Sequence, residues 1–123
     1  MRIDPEGDRW MAKAARRRSG GSGWRPLLTA VMELAGGKGE LLRHAERPWA
    51  SVTFSGTRHT IALCFTGPEA TAAGEAFLEA VPEHEFALPG QLVADAAVTV
   101  VGQEMVPEPK LTVEVELLLL ADV

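Results

Sequence analysis

The chain has no asparagine, no tyrosine and a single cysteine, Cys64, in 123 residues. One cysteine excludes an internal disulfide and fits a reducing compartment. No apolar run approaches the roughly 20 residues that a membrane-spanning helix requires, so no span is expected. Lysine is scarce, with three against nine arginines, while alanine and glycine are abundant. That bias reads as a GC-rich, bacterial coding genome and a cytoplasmic protein, and says nothing of activity.

Positive charge is missing from most of the chain. Residues 26–123 hold five Lys/Arg against fourteen Asp/Glu, a net −9, whereas residues 1–25 hold seven against three, a net +4. An acidic body lacks the clustered cations that neutralise phosphates. Nucleic acid or anionic membrane is therefore expected to meet only the leader. Residues 1–23 read as a basic flexible leader that ends in the linker Ser19-Gly-Gly-Ser-Gly23. Met11 offers a second possible start, and residues 24–123 read as one domain.

What is present is a sequence of well-marked elements. Pro26 suits a first helical position, and Leu27, Leu28, Val31, Leu34 and Ala35 recur at helical spacing until Gly36-Gly37. Residues 40–46 are ambiguous between a short helix and an edge strand. Residues 49–66 read as a hairpin around the two-residue loop Gly56-Thr57. That turn pairs Phe54 with His59, Val52 with Ile61 and Ala50 with Leu63, all facing the core. Trp49, Ser51, Thr53, Arg58, Thr60 and Cys64 then face outward. Thr66-Gly-Pro-Glu69 has the spacing of a capping box and opens a second helix that Pro82 stops.

Two strands are predicted to follow, over about 91–105 and 111–121. In the first, Ala94, Ala96, Val98 and Val100 oppose Asp95, Ala97, Thr99 and Val101. In the second, Leu118 and Leu120 put leucine on the face already occupied by Glu114 and Glu116, and a strand apolar on both sides must be covered on both. The fold class expected is α+β: a two-layer arrangement in which an antiparallel sheet of four to five strands carries one or two helices on one face.

Motifs of chemistry are few. Gly36-Gly-Lys-Gly39 lacks the upstream glycine and the hydroxyl of a phosphate-binding loop, and it follows a helix. Cys64 and His59 lie five apart along a strand, on opposite faces, and cannot act as nucleophile and base. His44, His59 and His84, with Glu46, Glu83 and Glu85, supply ligand types without any recognised ligand spacing. No catalytic residue, cofactor or metal site is expected. Three functions remain. The first is a non-enzymatic interaction domain that self-associates, as a homodimer, through a face bearing Trp49, Ser51, Thr53, Arg58, Leu118 and Leu120. The second is a small-molecule binder or weak enzyme with a polar pocket near Arg47, Arg58, His59 and His84. The third is an adaptor that works through its basic arm.

Overall fold

A computed structural model describes residues 24–121. The expected basic leader, residues 1–23, lies outside the described residues. Helix α1 (Trp24–Leu34) is followed by strands β1 (Glu40–Ala50) and β2 (Ser55–Thr66), then helix α2 (Pro68–Ala80) and a 3-10 turn (Val81–Glu83). Strands β3 (Gln91–Glu104) and β4 (Lys110–Ala121) close the chain. The sheet is antiparallel throughout, in the order β1-β2-β4-β3. This is the expected α+β class, with four strands and with helices packed on the sheet.

The order explains the composition of β4. The last strand in sequence is inserted between β2 and β3, so both its edges are paired, and its Leu117–Leu120 run is buried on both faces. Its inward residues Leu111, Val113, Val115, Leu117 and Leu119 meet Phe65, Ile61 and Leu63 of β2, with Leu27 and Val31 of α1 and Phe77 of α2 in the same cluster. The stripe read from α1 is thus the buried one, and the Gly36-Gly37 stop is real: both residues have positive φ, 71° and 68°.

The hairpin register differs from the sequence expectation. β1 runs on to Ala50, which pairs with Ser55, and the loop is Ser51-Val52-Thr53-Phe54. Ser51 closes it: its N–H donates to the Phe54 carbonyl at 2.7 Å, and its Oγ accepts from the Phe54 N–H at 3.1 Å. Val52 and Phe54 are therefore exposed loop residues, while Ser51 and Thr53 leave the sheet face assigned to them. The physical reason is length. Starting β1 at Glu40 gives a ladder from Glu40↔Cys64 to Ala50↔Ser55, and its hydrogen bonds and cross-strand contacts outweigh a local turn preference at Gly56-Thr57. Gly56 serves another purpose: a Cβ there would lie 2.0 Å from the Leu119 carbonyl and 2.9 Å from Leu120 Cδ2. Leu120 folds over that space.

Two further corrections are local. The cap of α2 is Gly67, at φ 96°, with no side-chain cap bond, because Thr66 ends β2 and pairs with Lys110. Glu69 binds Lys38 at 2.7 Å rather than reaching back to the cap. In β3, irregularities between Val93 and Asp95 and between Val98 and Val100 each shift the alternation by one residue. Val93, Ala96 and Val98 pack on the core, while Val100 lies opposite Glu114 and faces outward.

Candidate functional site

Polar side chains on the helix-covered side of the sheet gather at one place. His44 and Glu46 are two apart in β1, so both point to the same side. Glu46 is directly opposite His59 of β2, and His44 is opposite Ile61. His44 Nε2 lies 2.9 Å from His59 Nδ1, and Glu46 Oε2 lies 3.6 Å from the same nitrogen. The ring centroids of the two histidines are 5.2 Å apart, at an interplanar angle of 23°. That separation is the N···N distance plus the two ring radii, so the rings meet edge to edge, nitrogen to nitrogen. Two imidazole nitrogens in such contact need one proton between them, which one ring donates and the other accepts.

Burial sets the electrostatics. His59 is 3% exposed and the Glu46 side chain 11%. Burial, and then the neighbouring His44, push the His59 pKa from its ordinary 6.5 down to about 4, so this ring is neutral at pH 7. Trp24, the first residue of α1, stacks on His44 with centroids 5.0 Å apart and planes at 19°. The site is thus roofed by the start of α1 and floored by two strands.

The structure separates residues that the sequence reading had grouped. His59 faces inward, whereas its neighbour Arg58 faces outward, opposite Arg47 and beside Leu118. His84 follows the 3-10 turn and meets Phe86 edge-on at 4.5 Å. Arg47, Arg58, His59 and His84 therefore do not line one pocket. Cys64, on the outward side, is buried and 3.6 Å from Thr66 Oγ1. Sequence reasoning missed His44, Glu46 and Trp24 as partners of His59. The alternation His44-Ala45-Glu46 was the available signal, hidden because residues 40–46 had no assigned conformation and His59 had been set opposite Phe54.

The outward face carries ion pairs beside its apolar residues. Arg43 binds Glu114, Arg58 Nη1 donates to Glu116 Oε1 at 2.9 Å, and Thr99 Oγ1 donates to Glu114 Oε2 at 2.9 Å. Leu118 and Leu120 are only 7% and 9% exposed in the single chain, so no second subunit is needed to cover them. Of the six residues assigned to an interaction face, Trp49, Arg58, Leu118 and Leu120 share this side, and Ser51 and Thr53 belong to the loop. A separate cleft of about 230 Å³ between α2 and the start of β4 carries only Glu75 and Lys110 as charged groups.

No protein-family model matches the chain, and neither a curated protein nor a solved structure is significantly similar to it.

Proposed function

We propose that the protein is an interaction module that associates with a second copy of itself along the outer edge of β3, with which no strand among the described residues pairs. One observation carries this reading: the two sheet edges are guarded unequally. The β1 edge has Pro48, Arg43, Arg47 and a register irregularity between Leu41 and Arg43, all devices that keep an edge from pairing. β3 is 14 residues long and contains no Lys, Arg or Pro. Its charges, Asp95 and Glu104, leave residues 96–103 uncharged between them, and Leu92, Val100 and Val101 are about half exposed. Its two bulges limit pairing near Ala94 and Thr99 but leave Val100 to Glu104 regular. A two-fold axis would lay this segment against its own copy in antiparallel fashion, without a cation to desolvate.

This moves self-association from the outward sheet face to the edge beside it. Sedimentation of the full-length chain over a concentration series tests it. The expected mass is twice that of the monomer by about 100 μM, a modest affinity in keeping with one paired edge. Val100→Lys should return the monomer, because a lysine on an edge strand blocks pairing. Val52→Lys, on the exposed loop, should leave the dimer intact. A wild-type monomer throughout the series, or a dimer indifferent to Val100→Lys, would remove the reading.

A further inference from the structure

We propose that His44, Glu46 and His59 bind one divalent transition-metal ion, with Zn²⁺ the occupant that best suits the donors. The proposal stands on the side-chain geometry and is independent of self-association. One ligand atom from each residue lies within 4.8 Å of the other two. Donors that share an ion at about 2.1 Å stand roughly 3.0–3.5 Å apart, and the 2.9 Å and 3.6 Å separations to His59 Nδ1 bracket that range. Opening the histidine contact by a few tenths of an ångström and drawing the carboxylate inward completes the triangle.

The donor set selects the metal class. Two imidazoles and one carboxylate suit Zn²⁺, Co²⁺ or Ni²⁺, whereas Mg²⁺ and Ca²⁺ take oxygen ligands. Chemistry of the free state points the same way. The single proton held between the two rings must leave that contact when an ion enters, because ligating histidine must offer its lone pair; the ring that carries it takes it on its other nitrogen, so both rings ligate in the neutral form. The framework is preformed: Glu46 and His59 are a direct cross-strand pair, and His44 is held by the Trp24 ring. Three protein ligands leave a fourth position for water. The ion would clip edge strand β1 to β2 beneath the start of α1.

Co²⁺ titration of the full-length chain, stripped with EDTA, is the direct experiment. The expected result is a visible d–d absorption band that saturates at one ion per chain and is abolished by stoichiometric Zn²⁺. Zn²⁺ should also raise the melting temperature while Mg²⁺ does not. Glu46→Gln keeps the shape of the site and should weaken binding at least about tenfold, and His59→Gln should abolish the band. His84→Ala is the control and should change neither. If either site variant fails to fold, as judged by circular dichroism, the wild-type and His84→Ala titrations still decide. No saturable band in the wild-type chain, or a band lost with His84, would overturn the proposal, as would binding unchanged in a folded Glu46→Gln variant.

Discussion

His59 is the residue on which the inward face of the sheet turns. It is a buried polar ring beside the apolar core, and its pKa of about 4 makes stability depend on pH. In the unfolded chain the ring takes a proton below about 6.5, while in the folded chain it stays neutral until about 4. Stability of the metal-free chain should therefore be undiminished above pH 6.5, fall as pH drops towards 4 and level off below. The full span is worth about 3 kcal/mol by the pKa difference. Urea titrations in EDTA, compared between wild type and His59→Gln, isolate this slope from that of the carboxylates. Equal slopes in the two proteins would refute the buried neutral ring. Val52 supplies a second residue-scale test. Leu63→Ala should cost about 2–4 kcal/mol, as a buried leucine does, whereas Val52→Ala should stay within about 0.5 kcal/mol because the side chain is in water. Equal losses would restore the shorter hairpin.

At the scale of elements, the best-read segments were those whose signal is local. The helical spacing of Leu27 and Val31, the Gly36-Gly37 stop and the proline that opens α2 depend on a few neighbours each, and α1 and α2 lie close to where they were expected. The strands over β3 and β4 were likewise legible as strands. The facing of β3 was not, because bulges answer to the partner strand and leave no fixed mark in the sequence that carries them. The seam between α2 and the sheet gives an element-scale prediction. A Cβ on Gly74 would sit 2.8 Å from both Leu111 Cδ2 and the Phe65 ring. Glycine to alanine ordinarily strengthens a helix by up to about 1 kcal/mol. Here Gly74→Ala should instead cost about 1–3 kcal/mol, the usual penalty of overpacking, measured by thermal or denaturant unfolding. A stabilised variant would mean that helix and sheet are less closely apposed.

For the whole molecule, the question is which surface of an acidic body meets a partner. The outward face carries the Arg43–Glu114 and Arg58–Glu116 pairs, each worth under about 1 kcal/mol at such exposure, and it holds two leucines that are already buried. Leu118→Arg should therefore lower the stability of the folded chain at every concentration, by more than about 3 kcal/mol, since an unpaired charge would be forced among apolar groups. Val100→Lys should leave the melting temperature of dilute protein unchanged and act only on association. Comparing the two variants by unfolding at low concentration and by sedimentation at high concentration separates face from edge. If Leu118→Arg merely produced a stable monomer, the face and not the edge would be the contact.

The amino-acid sequence by itself determined the class of fold, the two helices and the need to cover β4 on both faces, since its leucines point both ways. Such information is written in spacings of two, three and four residues along one segment. It also determined that Ile61, Leu63 and Phe65 share a face with His59, because alternation within β2 needs no partner. Only the tertiary structure decided which residues stand opposite that face. The pairing of β1 with β2 weighs a whole ladder against one turn, so Gly56 became a contact point for Leu119 and Leu120 and the loop moved to Ser51–Phe54. That shift in pairing placed Glu46 opposite His59, brought His44 within 2.9 Å of it and set Trp24 over both strands' polar corner. Register is a property of two strands at once, and the site it assembles could not be read from either alone.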